Sequence, residues 1–375
     1  MVDHIKLLKQ AIKLAEKGKG LVSPNPMVGA IIVQKSKIVG SGYHQCFGMP
    51  HAEVEAIKKA GKNTIGATLY VNLEPCCHWG KTPPCTEKII SSGIKEVISC
   101  MKDPNPIVNG NGFKILQENG IKVRLFPVEG AFQLNQPYIT YITKKRPYII
   151  LKWAQTIDGK IATKTGDSKW ITGEKARKFV REKRFEIDGI VVGINTVLAD
   201  NPFLDYIPPQ FEVKKKLLER KRYYKIIIDP HLKTPLESNI WKNEKSKVLI
   251  FISDKVDKEK ISFYHQKKEN FEFVCLSTEN GKFKIDEFLG QLYKKEIGII
   301  MVEGGKNVLT WFFENRKVDE FLIFIGNKII GGENSINVIG GKDIEKISES
   351  FYLENRKIEF FDDDILIRGK VCFQE

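Results

Sequence analysis

The amino-acid sequence predicts an α/β protein built as two domains in series. Short runs of β-branched and apolar residues alternate with stretches whose apolar side chains recur every three or four positions, as expected of strands alternating with helices. The pattern stops in a passage that holds a proline and a basic triplet, and it restarts after residue 146. A chain of 375 residues is long enough to bury two separate cores. We therefore expect one domain over residues 1–146 and a second over 147–375.

The first domain is predicted to open with an amphipathic helix. Its apolar residues are spaced by three or four positions, namely Ile5, Leu8, Ile12 and Ala15. The elements predicted after it are a hairpin of strands 28–33 and 38–43, a helix over 51–59, a strand over 68–73, a helix over 86–92 and a strand over 96–101. Residues 126–147 show neither period, so we interpret them as the passage between the domains, with a helix in part of it left open.

The second domain is predicted from the same alternation. Its expected elements are strands over 148–153, 189–193, 225–229, 248–252, 271–276 and 298–302, helices over 173–183, 285–293 and 307–314, and a β-rich end. No GxGxxG fingerprint follows a strand, which argues against a Rossmann dinucleotide fold. A glycine turn does stand between a strand and a helix at Glu303-Gly304-Gly305, where backbone N–H groups can face a pyrophosphate. A tight turn without a ligand would need the same glycines.

Composition limits the class of protein. With 42% apolar and 28% charged residues, the chain is neither disordered nor a small disulfide scaffold. No stretch approaches the roughly 20 consecutive apolar residues that a bilayer crossing needs, and the lysine-rich start lacks an apolar signal core. We therefore expect no membrane partner and a cytoplasmic location. The cysteine count of 7 is odd, and most of these residues lie within 46–100, which favours a metal site in a reducing compartment.

The charge is unevenly distributed. The first 146 residues hold 20 basic and 10 acidic side chains, so most of the formal charge of +14 lies there. A basic surface attracts anionic partners such as phosphorylated metabolites or nucleic acid, without distinguishing them. A solvated lysine-rich surface with no partner explains the same excess.

The strongest chemical signal is a set of residues suited to bind zinc. One imidazole and two thiolates, at His51, Cys76 and Cys85, supply the three protein ligands of a catalytic zinc whose fourth position stays open. Glu53 follows the histidine by two residues, and the order His-x-Glu, Pro-Cys, Cys is that of zinc deaminases. In that class the carboxylate takes a proton from the attacking water and returns it to the ring nitrogen and the leaving ammonia. We therefore predict a catalytic Glu53 and one Zn²⁺ per chain.

The spacing of the cysteines departs from that signature. Cys85 lies nine residues after Cys76, whereas the signature has only two residues between its cysteines. We interpret Cys77 as a bystander and His78 as a substrate or loop residue. A purely structural zinc would need a fourth ligand and would leave Glu53 unexplained.

The long cysteine spacing, filled with GKTPP, together with Pro24-Asn25-Pro26 and Val28-Gly29, resembles the deaminase domain of the bifunctional riboflavin-biosynthesis deaminase/reductase family. The resemblance continues through the second domain in the family's order. The matching stretches there are Lys152, Thr156 to Lys160, Ser168 to Thr172, Gly193 to Asp200 and Val302 to Gly305.

The resemblance implies a fold, two reactions and two cofactors. The expected fold is a cytidine-deaminase-like three-layer domain followed by a dihydrofolate-reductase-like α/β domain. The first domain would remove the 2-amino group of a diaminopyrimidinone that carries a phosphoribosylamino arm, using Zn²⁺. The second would reduce the ribosyl group of the product to a ribityl chain with NADPH. The expected partners are this small-molecule substrate and further copies of the same chain, without nucleic acid.

The resemblance also assigns site residues by position. In the deaminase domain, Asn25, His44, Lys81 and Thr82 would contact the pyrimidine or the phosphate. In the reductase domain, the cofactor would meet Ala154, Trp170, Thr196, Asp200, Gly305, Lys306 and Asn307. The reductase substrate would meet Lys152, Ser168, Arg184, Leu204 and Glu303.

One segment departs from the family pattern. The family continues Asp-x-Pro-x-Leu with Thr-Val-Arg, whereas this chain reads Leu204-Asp205-Tyr206-Ile207, so a phosphate-binding arginine is replaced by isoleucine. Arg222 or a lysine among residues 214–216 is a candidate substitute.

Three alternatives remain open at this stage. A zinc deaminase that edits a base in RNA would use the basic first domain, but it would have no use for a nicotinamide domain. A deaminase whose reductase domain is inactive is the second. A zinc-stabilised binding module without activity is the third, and it would not need Glu53.

Overall fold

The computed structural model describes residues 3–208, 213, 215–243 and 245–372. The chain forms two compact units, one made of residues 1–146 with 213–221 and the other of residues 147–212 with 222–375. The sequence did not predict that residues 213–221 lie with the first unit, where Arg220 hydrogen-bonds the buried Cys46 thiol. None of the helices in the described part of the chain has the length and apolar content that a membrane crossing requires.

The first unit is a five-stranded sheet between two layers of helices. Its strands are β1 Gly29–Gln34, β2 Lys37–Tyr43, β3 Thr68–Val71, β4 Glu96–Ser99 and β5 Lys122–Leu125, in the sheet order β2-β1-β3-β4-β5. Its helices in this stretch are α1 His4–Ala15, α2 Ala52–Ala60, α3 Cys85–Ser91, α4 Asn111–Glu118, α5 Glu129–Leu134 and α6 Gln136–Lys144. The strand β1 is antiparallel to both neighbours, whereas β3, β4 and β5 run parallel.

Alternating side chains of this sheet feed two cores. Ala30 and Ile32 of β1 face a core with α2, α3, α4 and α6, whereas Ile31 and Val33 face a core with α1 and α5. A sheet that is apolar on both faces has to be covered on both. The three-layer α/β architecture expected for the first domain is therefore confirmed.

Two glycines bring β2 and α2 together. A Cβ added at Gly42 would lie 2.5 Å from the carbonyl oxygen of Ala52, and one added at Gly40 would lie 2.4 Å from that of Ala56. Only glycine allows this approach, because any side chain would collide with the helix backbone. The contact matters for the site, since the first turn of α2 carries Glu53.

The interpretation of residues 126–147 as a passage needs correction. Two helices, α5 and α6, occupy most of this stretch, and the sequence analysis also missed α4 and β5 before it. The reason is packing, since Tyr138 and Tyr141 of α6 and Ala131 of α5 are buried. Short helices of this kind depend on tertiary burial more than on a sequence period.

The second unit is built on a nine-stranded sheet. Its elements before residue 209 are β6 Tyr148–Gln155, β7 Lys160–Ala162, α7 Glu174–Lys183, β8 Gly189–Gly193 and α8 Ile194–Asp200. The helix α9 Lys215–Leu218 lies with the first unit. The chain continues with β9 Tyr224–Ile228, β10 Lys247–Ser253, α10 Lys258–Lys267, β11 Phe271–Leu276, β12 Thr278–Glu279, β13 Lys282–Phe283, α11 Ile285–Lys294, β14 Ile299–Gly304, α12 Lys306–Glu314, β15 Glu320–Ile325, β16 Ile336–Asn337, β17 Tyr352–Phe361 and β18 Asp364–Cys372.

The strand order of the large sheet places the carboxyl ends of several strands side by side. The order is β11-β10-β9-β8-β14-β6-β15-β18-β17, and all neighbours from β11 to β15 are parallel. Successive side chains again point to opposite faces of the sheet, where Val191 of β8 packs in one core and Ile190 and Val192 pack in the other. In such sheets, ligands bind at the carboxyl ends of the strands. The predicted strands and helices of this domain agree with these elements to within a few residues.

Candidate active sites

Three side chains of the first unit converge on one point. The Nδ1 atom of His51 lies 3.4 Å from the Sγ of Cys76 and 3.3 Å from the Sγ of Cys85. Among the described residues, this is the group of histidine, cysteine or acidic residues placed to hold a metal ion, with ligand atoms within 4.8 Å of one another. The sequence selected these three residues as zinc ligands.

Local backbone structure sets the positions of the three ligands. His51 is the N-cap of α2, Cys76 follows β3 in an irregular segment, and Cys85 is the first residue of α3. The backbone N–H of Cys85 donates to the Sγ of Cys76 over 3.3 Å, and that of Thr86 donates to the carbonyl oxygen of Cys76. The hydrogen bond with Cys85 and the neighbouring His51 lower the pKa of the Cys76 thiol. A thiolate is the form that binds a metal.

A hydroxyl group fixes the orientation of the His51 ring. The Nε2 atom of His51 lies 3.4 Å from the Oγ1 of Thr82, while Nδ1 faces the two sulfur atoms. An Nε2–H that donates to Thr82 leaves Nδ1 unprotonated toward the metal position, as expected of a metal-binding histidine. The resemblance assigned Thr82 to the substrate, and the structure places its hydroxyl group next to the His51 ring.

Glu53 lies beside the three ligands, with its carboxyl group hydrogen-bonded to the Cys85 thiol. Its side chain is 3% exposed, and its Oε2 atom has no hydrogen-bond partner among the described residues. Burial raises the pKa of the Glu53 carboxyl to about 7, although the positive charge of His51 opposes the shift. A carboxyl group with a pKa near the working pH can both accept and return a proton.

These residues fit a catalytic zinc ion. The donor set of one imidazole and two cysteine sulfurs matches the three-ligand class with an open fourth position, and the unpaired Glu53 oxygen is a further polar atom that such a site would engage. Cys77 and His78 stand outside this group. The Cys77 Sγ lies 3.9 Å from the carbonyl oxygen of Ile107, and the buried His78 Nδ1 has no hydrogen-bond partner in the described part of the chain.

A histidine and an asparagine form a second polar pair close to the ligands. The His44 ring packs edge-on to that of His51, with ring centroids 5.1 Å apart. Burial, followed by the charge of His51, lowers the pKa of His44 to about 4, so the ring is neutral near pH 7. Its Nδ1 lies 3.2 Å from the carbonyl oxygen of Pro50 and its Nε2 lies 3.2 Å from the Asn25 amide nitrogen. A neutral ring then donates through Nδ1 and accepts from Asn25, which leaves the Asn25 oxygen available to a ligand.

Two further asparagines hold the segment that carries Asn25. The Oδ1 of Asn135 accepts from the backbone N–H of Met27, and the Oδ1 of Asn72 accepts from that of Gly29, each over 2.8 Å. Both amide nitrogens donate to the carbonyl oxygen of Met27. The sequence analysis missed this pair, because nothing in the sequence distinguishes a buried asparagine from one in a turn.

Glu74, which precedes the Pro-Cys pair, is another residue that the sequence analysis missed. Its carboxylate accepts from the backbone N–H groups of Asp103, Gly110 and Phe113 at distances between 2.9 and 3.2 Å. These bonds attach the loop before α4 to the segment that carries Cys76. Lys81, assigned by position to substrate, lies over the Phe47 ring at 3.8 Å from its centroid.

The second unit contains a large cavity at the carboxyl ends of its strands. It has a volume of about 2010 Å³. All of the residues that the resemblance assigned to the reductase site line it. They are Lys152, Ala154, Ser168, Trp170, Arg184, Thr196, Asp200, Leu204, Glu303, Gly305, Lys306 and Asn307.

Three charged side chains form a buried cluster on the cavity wall. The Arg184 guanidinium donates to both oxygens of Glu303, over 2.8 and 2.9 Å, and the Lys152 ammonium lies 3.5 Å from the same carboxylate. Burial alone would raise the pKa of Glu303, but the two cations lower it to about 2. The resemblance assigned Arg184 to the reductase substrate. In the structure its guanidinium is paired with Glu303, so the side chain contributes to the cluster.

The glycine turn at the end of β14 has a backbone conformation that favours glycine. Gly304 has a φ of 140°, which disfavours any residue with a side chain, and the N–H of Gly305 donates to the Thr196 hydroxyl over 2.9 Å. A Cβ at Gly305 would lie 3.3 Å from that hydroxyl, so glycine keeps the wall open at the start of α12. Backbone N–H groups at a helix start favour a pyrophosphate. These residues therefore fit NADPH.

In the segment that departs from the family pattern, the acidic residue is paired within the protein. The Asp205 carboxylate pairs with the fully buried Lys225 over 2.9 Å and accepts from Asn243 over 3.0 Å. Arg222, a candidate substitute for the missing arginine, donates to the carbonyl oxygen of Lys295 and pairs with Glu296, and it does not line the cavity. Of the other candidates, Lys214 lies outside the described residues, and residues 215 and 216 belong to the first unit.

The two sites define a two-domain enzyme, with a deaminase-type metal centre in one domain and a nucleotide-binding cavity in the other. Residues 1–101 match the cytidine and deoxycytidylate deaminase zinc-binding region, and residues 147–367 match the RibD C-terminal domain.

Similar proteins align with this chain over nearly its whole length. The riboflavin biosynthesis protein RibD of Aquifex aeolicus is 42% identical over 364 residues, which are 96% of each chain. A solved RibD of Acinetobacter baumannii superposes with a TM-score of 0.86 at 30% identity, over 98% of this chain and 99% of that one. A Thermotoga maritima structure, titled a diaminohydroxyphosphoribosylaminopyrimidine deaminase/5-amino-6-(5-phosphoribosylamino)uracil reductase, gives 0.81 at 36%, with the same coverage.

The chain belongs to the RibD family of bifunctional riboflavin-biosynthesis enzymes. Its first domain is a zinc-dependent deaminase, and its second is a reductase that uses NADPH, as the sequence predicted. The two-activity enzyme is therefore favoured over the RNA-base deaminase and over the inactive zinc-binding module.

Proposed function

We propose that the first domain removes the 2-amino group of 2,5-diamino-6-(phosphoribosylamino)pyrimidin-4-one and that the second reduces the ribosyl group of the product to a ribityl chain. The observation that supports the first step best is the convergence of His51, Cys76 and Cys85 next to the unpaired Glu53 oxygen. The similarity to the Thermotoga maritima enzyme, which is named for both activities, supports the substrate.

In the deamination, water replaces the amino group at C2 and ammonia leaves. A bound zinc ion supplies a Lewis acid that lowers the pKa of a water molecule. Glu53 would take one proton from that water and pass it to the ring nitrogen, and would then take the second proton from the oxygen now bonded to C2 and pass it to the departing amino nitrogen. A buried carboxyl with a pKa of about 7 can accept and return a proton in this way. Asn25 is proposed to read the pyrimidine edge, with its amide orientation set by neutral His44.

We propose for Lys81 the phosphate role that the resemblance implied, and for Thr82 a different role. Thr82 orients His51, so we propose it as a positioning residue. Lys81 lies over Phe47, and its ammonium group is proposed to bind the substrate phosphate in the deaminase site.

In the reduction, the bond between C1′ and the ring oxygen of the ribosyl group breaks, C1′ receives a hydride, and the released oxygen receives a proton. NADPH supplies the hydride when bound. Lys152 is the proposed proton donor, because its ammonium group lies on the cavity wall and is held by ionised Glu303. Ala154, Trp170, Thr196, Asp200 and the 305–307 stretch are proposed to contact the cofactor, and Ser168 and Leu204 the substrate.

The proposal is tested by following the two reactions separately. We expect the wild-type chain to release ammonia from the diaminopyrimidinone and then to oxidise NADPH. Glu53→Gln should lower ammonia release by about 100-fold or more while it keeps the zinc content and still reduces added deaminated product. Ammonia release at the wild-type rate would remove Glu53 from its role. No NADPH oxidation with added deaminated product would favour the deaminase with an inactive reductase domain.

We also propose a cellular location and an assembly state. All of the cysteines, from Cys46 to Cys372, are free thiols, which supports the cytoplasm. Ile358 and Phe360 are exposed on β17, an edge strand of the large sheet, which supports a homo-oligomer. Sedimentation velocity of the full chain tests the latter. Nothing in either proposed site calls for a nucleic-acid partner.

A further inference from the structure

The helix α7 and its C-cap residue present a row of arginines to the reductase cavity. Arg177 and Arg181 lie in α7 and Arg184 caps it with helical backbone angles; their spacing of four and three residues places them on one side, and all three line the cavity. A row of cations along a cavity wall is suited to bind an anionic group of a ligand. Which of the three is available depends on their other contacts.

Two of the three arginines are engaged within the protein. Arg184 donates to both oxygens of Glu303 and to the carbonyl oxygen of Asp205 over 3.0 Å. Arg177 donates to the carbonyl oxygen of Thr172, and its guanidinium lies 4.4 Å from the centre of the Trp170 ring.

Arg181 is different. No carboxylate or carbonyl oxygen in the described part of the chain pairs with its exposed guanidinium. A charged fork without a protein partner on the wall of a ligand cavity keeps all of its donors for a ligand.

The backbone of Arg181 lies next to the segment that carries Leu204, a residue proposed to contact the substrate. Its carbonyl oxygen accepts from the backbone N–H of Ile207 over 2.9 Å, so the segment from Leu204 to Ile207 runs directly beside this turn of α7. Leu204 and Asp205 of that segment line the cavity as well. An anion bound by Arg181 would therefore lie next to the segment in which isoleucine occupies position 207.

The acidic residue of the same segment does not oppose anion binding. The Asp205 carboxylate is paired with Lys225 and also accepts from Asn243. Lys225 is fully buried, so its charge is committed to this contact. With Asp205 balanced in this way, Arg181 adds a net positive charge at this end of the cavity.

We propose that Arg181 binds the phosphate monoester of the ribosylaminopyrimidine in the reductase site. This inference rests on the function proposed above, since it needs a phosphorylated substrate in the second domain. A guanidinium pairs with phosphate oxygens through two parallel N–H groups. Arg181 thereby supplies the phosphate contact that the isoleucine at position 207 cannot make.

The test compares Arg181→Gln with Lys178→Gln in the full chain. Lys178 is an exposed residue of the same helix that does not line the cavity, so its variant controls for the loss of one positive charge. Each protein is assayed for NADPH oxidation with the deaminated substrate and with the same compound lacking its phosphate. Calorimetric titration with ribose 5-phosphate measures binding without turnover.

We expect Arg181→Gln to raise the KM for the phosphorylated substrate by about tenfold or more, because a charge-assisted hydrogen bond is lost. The kcat, the KM for NADPH and the deaminase rate should stay at wild-type values, and the effect should vanish with the substrate that lacks phosphate. Affinity for ribose 5-phosphate should fall in parallel, and Arg181→Lys should restore part of it.

Three results would overturn the proposal. They are an unchanged KM, an equal change with both substrates, or a raised KM for NADPH, which would assign Arg181 to the cofactor phosphate. Failure of the wild-type chain to oxidise NADPH would instead count against the proposed reductase function, and ribose 5-phosphate binding would still report on Arg181.

Discussion

Replacing Glu303 by glutamine should destabilise the second unit measurably. The carboxylate is buried between Arg184 and Lys152, and it accepts both hydrogen bonds of the Arg184 fork. Glutamine keeps the size of the side chain but removes its charge, and it can present only one oxygen to the arginine. Two buried cations are then left without their counter-ion, which is the costly way to disrupt a buried ion pair.

The size of the effect follows from the titration of Glu303. Its pKa falls from the usual 4.5 to about 2 in the folded chain. At about 1.4 kcal/mol per pKa unit, ionised Glu303 stabilises the folded state by about 3 kcal/mol. Removal of one partner of a buried pair typically costs about 3–5 kcal/mol, which agrees. For a domain of this size, such a change lowers Tm by roughly 6–12 °C.

The pH dependence has a definite sign. A carboxyl whose folded pKa is lowered contributes all of its stability above the unfolded pKa and loses that contribution as pH falls toward the folded pKa. The difference between the wild type and Glu303→Gln should therefore be constant from pH 8 to about 5. It should shrink as pH falls from 4.5 toward about 2.

Urea unfolding followed by tryptophan fluorescence is the appropriate assay. Trp153, Trp170, Trp241 and Trp311 all lie in the second unit, so the signal reports mainly on that unit. Glu237→Gln, at an exposed position in the same unit, is the matched control and should change the free energy of unfolding by less than about 0.5 kcal/mol. A Glu303→Gln variant as stable as this control at pH 7 would refute the reasoning.

Two further predictions concern the first unit. Thr82→Val removes the acceptor for the Nε2–H of His51 and should weaken zinc binding by about 10- to 100-fold. Competition with a chelator measures the zinc affinity, and an unchanged affinity would contradict the orienting role of Thr82. Burial raises the pKa of Asp103 from 3.8 to about 6, so its ionisation should cost the folded unit up to about 3 kcal/mol as pH rises from 4 to 7. Asp103→Asn can still accept the hydrogen bond from Tyr138, but its free energy of unfolding should no longer fall between pH 4 and pH 7. Identical pH profiles of the wild type and the variant would disprove this prediction.

Much of the deaminase site is predictable from the sequence because each half of it is local. His51 and Glu53 lie in one helix start, and Cys76 and Cys85 bracket one loop, so residue type and spacing identify each pair. Folding then brings the two pairs together across 25 residues of sequence or more. The alternation of strands and helices likewise predicted both α/β domains. The short helices α5 and α6 were not predicted, because their stability comes from buried side chains such as Tyr138 and Tyr141.

The sequence alone determined which side chains are suited to hold zinc and where a glycine turn separates a strand from a helix, because those properties belong to residue type and to spacing along the chain. Only the tertiary structure decided which charged side chains pair with other groups of the protein and which stay available to a ligand. Arg184 and Arg181 are chemically equivalent in the sequence, yet packing sets Arg184 against Glu303 and leaves Arg181 facing the cavity. The reason is that Glu303 lies 119 residues away from Arg184 along the chain, and only folding brings the two together.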